Sequence, residues 1–321
     1  MRILITGGAG FIGSHLTDRL VADDHQITIL DNLATGRKEN LSAHLGSSRV
    51  TFIEGSILDL SLLNSLIKET EYLFHLAAAV GVFNIVNHPL ESLMTNIRGT
   101  ENVLEAAHKY SKPVFVTSSS EVYGKNISDS LRESDDRILG SPVTLRWSYS
   151  EAKAIDESLA YAYFVEKKLE TRIVRFFNTV GPRQLGAYGM VVPRFVRAAL
   201  NSEPITIYGT GEQTRCFGHV YDAVEAVIRI AFSPDTIGKV INIGNDFEIS
   251  INNLAKRVIS ETGSKSEVVY VPYEEAYGAG FEDMERRVPN LELIKQLVGW
   301  KPERDLSAMI SDIANEMNST N

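Results

Sequence analysis

Short runs of apolar and β-branched residues alternate with amphipathic stretches along the first half of the chain. Such runs predict strands that are buried on both faces, and they lie at 2–6, 26–30, 50–53, 72–76, 113–118 and 171–176. Apolar positions at helical spacing predict helices after the first strand, over 89–110 and over 149–168. Strands that alternate with helices predict an α/β fold built on a doubly wound parallel sheet.

The chain is longer than a single core usually requires. With 321 residues, one large α/β unit and a second, smaller lobe are expected. The apolar patterns at 220–232 and 240–242 fit the sheet unit, and a further helix is expected to open at 190–195. The chain is therefore expected to leave the sheet after the sixth strand and to return to it later.

The first predicted strand runs directly into a glycine-rich turn. Gly7, Gly10 and Gly13 form the G-x-x-G-x-x-G variant of the dinucleotide fingerprint. Gly7 permits the tight turn, Gly10 lets the backbone approach a pyrophosphate, and Gly13 lets the helix pack closely on the strand. The N–H groups at the start of the helix would then face the phosphates.

The second predicted strand ends at Asp31, which stands 18 residues after Gly13. This is close to the spacing of the acid that accepts the adenosine ribose hydroxyls. A carboxylate there would repel a 2′-phosphate, so the sequence favours NAD over NADP. Arg37 and Lys38 are counter-evidence, but we expect Asp31 at the strand end to decide.

Tyr149 and Lys153 are four residues apart and would lie on one face of the last helix. A free phenol titrates near pH ~10. The lysine ammonium and an oxidised nicotinamide, both cationic, would favour the phenolate. Such a tyrosinate could take a hydroxyl proton while a hydride leaves the same carbon.

Composition narrows the partners and the compartment. A net charge of −9 argues against nucleic acid or an anionic membrane as a partner. The single cysteine, Cys216, allows no internal disulfide and suits a reducing compartment. No apolar run approaches the roughly 20 residues that span a bilayer, and no cluster has metal-ligand spacing. We therefore expect a cytoplasmic protein that holds no metal.

The motifs together resemble the extended short-chain dehydrogenase/reductase family, in particular the NAD-dependent nucleotide-sugar epimerases, dehydratases and decarboxylases. The resemblance extends over essentially the whole chain and is carried by 7–13, 31–33, 75–78, 118–124, Tyr149 with Lys153, 175–183 and 213–217. It implies a Rossmann-type NAD-binding domain over 1–176, to which 217–245 return. It also implies a mixed α/β lobe for the nucleotide sugar over 177–216 and 246–321.

The resemblance also implies which residues contact NAD and the UDP-sugar. The cofactor set is Gly7, Gly10, Phe11, Ile12, Gly13, Asp31, Asn32, Ser56, Ile57, Leu76, Ala77, Ala78 and Lys153. Ser56 is a departure, because the family usually has an aspartate there that reaches the adenine amino group. The substrate set is Asn178 and Arg215 at the diphosphate, Tyr208 and Val192 near the base, and Tyr277.

Ser119, Ser120 and Glu121 follow the fifth strand and bear on the reaction. By the resemblance, Ser119 holds the sugar 4-hydroxyl beside Tyr149. Related dehydratases carry an aspartate at position 120, whereas this chain has Ser120, and simple 4-epimerases usually carry a small neutral residue at 121. The pattern here resembles that of UDP-glucuronate decarboxylases, in which Glu121 beside a substrate carboxylate would have a raised pKa and could shuttle a proton.

A second indication of decarboxylation lies at 277–289. This stretch resembles one in a bacterial uronate decarboxylase domain whose essential arginine falls on Arg287. Our hypothesis is oxidative decarboxylation of UDP-glucuronate to UDP-xylose or a UDP-4-keto-pentose. A UDP-glucose or UDP-glucuronate 4-epimerase and, more remotely, a non-catalytic NAD-sensing scaffold stay open, as does the identity of the base. The family usually dimerises through a four-helix bundle, for which 89–110 and 149–168 are the candidate helices.

Overall fold

The structure, a computed structural model, describes residues 1–81, 87–186, 190–272, 274–275, 284 and 286–319. Its largest element is a sheet of seven parallel strands in the order β11-β6-β5-β4-β1-β2-β3. These strands are β1 (Arg2–Thr6), β2 (Gln26–Asp31), β3 (Val50–Glu54), β4 (Tyr72–His75), β5 (Val114–Ser119), β6 (Thr171–Phe176) and β11 (Val240–Ile243). The predicted doubly wound parallel sheet is confirmed.

Helices cover both faces of this sheet. The described helices are α1 (Phe11–Ala22), α2 (Leu60–Lys68), α3 (Pro89–Lys109), α4 (Ser148–Lys167), α5 (Val191–Leu200), α6 (Val220–Phe232), α7 (Ile251–Thr262), α8 (Glu292–Val298) and α9 (Leu306–Ser319). One apolar core packs α1, α6 and α8 on the sheet, and a second packs α2, α3 and α4 on its other face. Burial on both faces explains why the strands are apolar almost throughout.

The strand order reverses between β1 and β4, which are hydrogen-bonded neighbours. From β1 the chain continues outward through β2 and β3, and from β4 it continues the opposite way through β5 and β6. A crevice therefore opens at the carboxyl ends of β1 and β4, where doubly wound sheets bind ligands.

A smaller lobe has its own apolar core. Val192, Phe195 and Val196 of α5 pack there against buried residues of α7 and α9. Its short strands form two-stranded pairs and are β7 (Thr179–Val180), β8 (Ile205–Tyr208), β9 (Thr214–Cys216), β10 (Gly218–His219), β12 (Glu248–Ser250) and β13 (Val268–Val271).

One part of the proposed domain division needs correction. We assigned 246–321 to the lobe, but Ile294 and Trp300 are buried in the core that packs on the sheet. The Trp300 indole N–H donates to the Asp222 carbonyl in α6 at 3.1 Å, so this segment is tied to a helix of the sheet unit.

None of the helices in the described part of the chain is both long and apolar enough to cross a membrane.

Buried charge also joins the layers of the sheet unit. The Arg175 guanidinium on β6 donates to both carboxylate oxygens of Glu157 on α4, at 2.9 and 2.7 Å. The Ser118 hydroxyl on β5 donates to the same carboxylate at 2.5 Å. This bidentate pair fixes how α4, which carries Tyr149 and Lys153, lies on the strands.

Candidate active site

The turn after β1 has the geometry that its glycines predict. Gly7 has a φ of +75°, and a Cβ built on it would lie 2.6 Å from the Ala77 nitrogen. A Cβ on Gly13 would lie 2.2 Å from the Gly7 oxygen, so α1 can approach the turn only because position 13 lacks a side chain. A Cβ on Gly10 would meet nothing closer than that same oxygen, at 3.2 Å. The backbone at Gly10 is therefore open to a ligand.

Asp31 lies at the end of β2 and, like the glycines of the turn, lines a cavity. Its carboxylate accepts hydrogen bonds from the backbone N–H groups of Ala9 at 3.0 Å and Leu33 at 2.8 Å. Burial raises the pKa of Asp31, and the two backbone bonds oppose that shift. A carboxylate has about four acceptor sites, so Asp31 retains capacity for ribose hydroxyls. Lys38, whose positive charge would favour NADP, forms an ion pair with Glu54 at 2.9 Å.

Nearly all the predicted cofactor and substrate residues line one cavity of about 600 Å³. They are Gly7, Gly10, Phe11, Ile12, Gly13, Asp31, Asn32, Ser56, Ile57, Leu76, Ala77, Ala78, Ser119, Ser120, Glu121, Tyr149, Lys153, Asn178, Val192, Tyr208, Arg215 and Arg287. Tyr277 lies outside the described residues. Residues from position 7 to position 287 thus line one cavity.

Lys153 is buried beneath Tyr149 on α4. Its ammonium donates to the Thr117 carbonyl at 3.0 Å and to the Asp156 carboxylate at 3.1 Å. Burial alone would lower the pKa of Lys153, but Asp156 and then Tyr149 raise it above its usual value. Lys153 is therefore a fixed, charged donor at the cavity wall.

The pKa of Tyr149 differs from our expectation. Burial raises it, Lys153 lowers it, and Glu121 and Asp156 raise it, with the net effect upward. Lys153 lowers the pKa as predicted, but the protein's own groups together raise it, so the predicted phenolate depends on the charge of a bound oxidised nicotinamide and stays a prediction. The two carboxylates and removal from water outweigh the ammonium.

The pKa of Glu121 is shifted in the opposite direction to that of Tyr149. The Arg146 and Arg287 guanidinium groups each donate to it at 2.6 Å, one to each carboxylate oxygen. Burial alone would raise the pKa of Glu121, but the two arginines lower it to about 2. The pKa of Glu121 is therefore low in the protein without substrate, because the carboxylate lies between two cations; the raised pKa expected beside a substrate carboxylate stays a prediction.

Arg146 is a site residue that the sequence patterns do not single out. It lies in the short 3-10 helix Leu145–Trp147, just before α4, and it is 6% exposed. Its position three residues before Tyr149, next to a fully buried Trp147, was the available signal. An arginine in such surroundings usually has a buried acid to pair with.

Arg287 links the segment after β5 to Asn178 at the cavity wall. Besides Glu121, it donates to the Ser120 hydroxyl at 3.3 Å and to the Asn178 side-chain oxygen at 3.0 Å. Its Nε is buried and donates to no partner in the described part of the chain. Towards the nucleotide end, the Arg194 guanidinium stacks on the Tyr208 ring at 4.4 Å.

The residues present fit a dinucleotide. The glycine turn leaves space that a single Cβ would fill, Asp31 offers acceptor sites, and Lys153 holds a donor at the far end of the cavity. No group of three or more histidine, cysteine, aspartate or glutamate side chains suited to a metal occurs among the residues the structure describes.

Comparison with known proteins agrees with this geometry. A family model described as the NAD dependent epimerase/dehydratase family matches residues 3–244. The UDP-N-acetyl-alpha-D-glucosaminuronate decarboxylase of Bacillus cytotoxicus is 42% identical over 302 residues, which are 94% of this chain and 92% of that protein. UDP-glucuronic acid decarboxylase 1 of Xenopus tropicalis is 36% identical over 303 residues, 94% of this chain and 68% of that protein.

A solved structure shows the same architecture. The UDP-glucose 4-epimerase of Thermotoga maritima, crystallised with UDP-glucose, has a TM-score of 0.89 and 30% identity, and the match covers 100% of this chain and 99% of that one. The chain therefore belongs to the NAD-dependent epimerase/dehydratase family of extended short-chain dehydrogenases/reductases, and its cofactor is NAD.

Proposed function

We propose that the protein catalyses NAD-dependent oxidative decarboxylation of a UDP-hexuronate, either UDP-glucuronate or its 2-acetamido counterpart. The observation that carries the proposal is the position of Arg287. Its guanidinium lies at the cavity wall with Ser120, Glu121 and Asn178, and its buried Nε has no partner in the described part of the chain. A planar guanidinium can receive a carboxylate through two parallel hydrogen bonds.

The first step of the proposed reaction forms a ketone at sugar C4. Tyr149 takes the proton of the 4-hydroxyl, Ser119 holds that oxygen, and Lys153 holds the nicotinamide ribose. When bound, NAD supplies the acceptor for the C4 hydride and a positive charge that favours the phenolate. The 4-ketone turns the C6 carboxylate into that of a β-keto acid. The C5–C6 bond then breaks, CO2 leaves, and the electron pair delocalises into the C4 carbonyl.

Arg287 and Glu121 have linked parts in the second step. A substrate carboxylate at Arg287 competes with Glu121 for that guanidinium, while Arg146 still holds Glu121 at 2.6 Å. Glu121 then has one cation fewer and one anion more beside it, so its pKa rises. This change would allow Glu121 to take up a proton from water and deliver it to C5 after CO2 has left.

The alternative functions need different features. A 4-epimerase of a neutral UDP-sugar requires Tyr149 and Lys153 but gives no purpose to a second arginine at Glu121. The epimerase of Thermotoga maritima shows that the overall shape is common to epimerases, so shape alone does not decide. A non-catalytic NAD-sensing scaffold would need the glycine turn alone. The relatives named as decarboxylases support the first reading.

We propose that the protein is a homodimer whose interface includes α4, packed beside α3. Ile155, Tyr161 and Val165 of α4 are 40%, 51% and 45% exposed. At about 100° per residue they lie within an arc of about 120° on one side of the helix. Such an apolar face on a helix already packed on its other side suits a helical bundle formed by two copies.

Release of CO2 separates the decarboxylase from the epimerase. Protein loaded with NAD and given UDP-glucuronate or UDP-N-acetylglucosaminuronate, in parallel reactions, should release one CO2 per sugar consumed from at least one of them. The gas is measured from carboxyl-labelled substrate and the sugar product by mass spectrometry. Formation of the 4-epimeric uronate without CO2 from either substrate would rule out decarboxylation.

Replacing Arg287 with methionine should remove the site for the carboxylate. Loss of one partner of a buried charge pair costs about 2–5 kcal/mol, so the rate of CO2 release should fall by roughly 30- to 5,000-fold. Arg286→Met is the matched control, because Arg286 pairs with Glu248 at 2.7 Å outside the cavity. Equal rates in the two variants would contradict the assignment of Arg287.

Tyr161→Glu should weaken the proposed dimer by placing two charges at the apolar face. Sedimentation or light scattering should give twice the chain mass for the parent protein and a shift towards one chain mass for the variant. Phe247→Glu, which changes a ring that is 62% exposed on the lobe, should leave the mass unchanged. A parent protein that already sediments as a monomer would refute the interface.

A further inference from the structure

Asp156 is a fully buried carboxylate that the proposed reaction does not use. It is 0% exposed and lies three residues after Lys153 on α4. Its carboxylate accepts a hydrogen bond from the Lys153 ammonium at 3.1 Å. A buried acid in contact with a buried base of the active site costs desolvation, so its presence there calls for a physical reason.

The contact between these two groups fixes where the ammonium points. Lys153 has three N–H donors, of which one goes to the Thr117 carbonyl at 3.0 Å and one to Asp156. One donor remains, and Lys153 lines the cavity. Asp156 and Thr117 thus hold the ammonium so that its third donor is available to a ligand in the cavity.

The same contact offsets the charge of Lys153. Burial is the largest cause of the raised pKa of Tyr149; the Lys153 cation opposes this rise, and the anions at Glu121 and Asp156 add to it. The ammonium therefore does not ionise the phenol by itself. A further positive charge is required, and the oxidised nicotinamide of bound NAD carries one.

We propose that Asp156 is a positioning residue that balances the charge of Lys153 and so keeps Tyr149 protonated until a cationic cofactor ring lies beside it. The proposal rests on the proposed role of Tyr149 as the base, but not on the identity of the sugar. It makes the proton of Tyr149 follow the charge of the ring. The phenol is then a base while the ring is cationic and an acid once the ring has become neutral.

The other charged groups near this pair have partners of their own. Glu121, from the segment after β5, lies between Arg146 and Arg287. Glu157 on α4 is held by Arg175 on β6 and receives the Ser118 hydroxyl. Asp156 accepts a hydrogen bond from the Lys153 ammonium, and Glu157 adds a smaller rise to the pKa of Lys153.

His75 at the end of β4 adds no charge to this region. Its ring nitrogens bond to the hydroxyls of Thr6 at 2.8 Å and Thr100 at 3.1 Å. Burial, and then Lys153, lower the pKa of His75 to about 3, so the ring is neutral at physiological pH. Burial raises the pKa of Asp156, and Lys153 and then the Thr100 hydroxyl on α3 oppose that rise.

Replacing Asp156 with asparagine keeps the shape and removes the charge. Without that anion, the doubly protonated form of the Tyr149–Lys153 pair is less favoured, so the pair loses its first proton at lower pH. Tyrosinate absorbance of the protein without added cofactor, from which the Tyr149→Phe signal is subtracted, should therefore rise about one pH unit lower than in the parent. The acidic limb of the pH profile of kcat/KM should move the same way.

Two further variants separate charge from structure. Asp156→Glu keeps the charge and should titrate close to the parent. Glu151→Gln changes an exposed acid of the same helix, which pairs with Arg137 at 3.2 Å, and should also titrate like the parent. If Asp156→Asn does not fold, Asp156→Ser provides the same comparison with room for a water molecule.

Unchanged or later tyrosinate formation in the Asp156→Asn protein would overturn the proposal, as would an equal shift in Glu151→Gln. The titration uses no sugar. A shift without CO2 release in the decarboxylation assay would therefore support the role of Asp156 and count only against the proposed substrate. CO2 release without a shift in the titration would support the proposed substrate and count against the role of Asp156.

Discussion

Lys153 lies buried at the reacting end of the cavity because Asp156, one turn along the same helix, balances its charge at 3.1 Å. An unpaired ammonium in that place would carry a large desolvation cost. The same rule holds around it: Glu121 lies between Arg146 and Arg287, and Glu157 binds Arg175. These pairs fix the side chains that the proposed reaction uses, so that reaction depends on buried charges being balanced.

The sheet brings these pairs to one place. The reversal of strand order between β1 and β4 opens the crevice, and the glycine turn after β1 occupies one side of it. The segment after β5 supplies Ser119 to Glu121, and α4 supplies Tyr149 and Lys153. The arginine at 287 reaches the same wall from the far end of the chain. Cofactor binding thus depends on the strand order, and sugar chemistry on contacts between distant segments.

The parts of this arrangement that depend on local pattern could be predicted from the sequence. The strand at 171–176 has its expected bounds, and the glycine turn has the expected close approach at Gly13. Hydrophobic runs and glycine spacing carry that information within a few neighbouring residues. The contact of Ile294 with the sheet core was missed because nothing near it in sequence shows which core it joins.

For a related reason, the sequence could not predict in which direction the protein's own groups shift the pKa values of Glu121 and Tyr149. Glu121 and Arg287 are 166 residues apart in sequence, and Arg146 lies in a 3-10 helix of three residues, which is too short to show a periodic pattern. A pKa depends on the sum of burial and all nearby charges, whereas a motif gives only one or two of them. For Tyr149 the motif gives the lysine, whereas burial, Glu121 and Asp156 together raise the pKa.

We propose that Arg287 receives a carboxylate of the sugar beside Tyr149. A crystal structure of the Tyr149→Phe protein with NAD and UDP-glucuronate tests it most directly, because the variant should hold the substrate unreacted. We expect the uronate carboxylate to lie about 3 Å from the Arg287 guanidinium, with sugar C4 facing the nicotinamide and Glu121 held by Arg146. A carboxylate directed to solvent, with Arg287 still bound to Glu121, would contradict it.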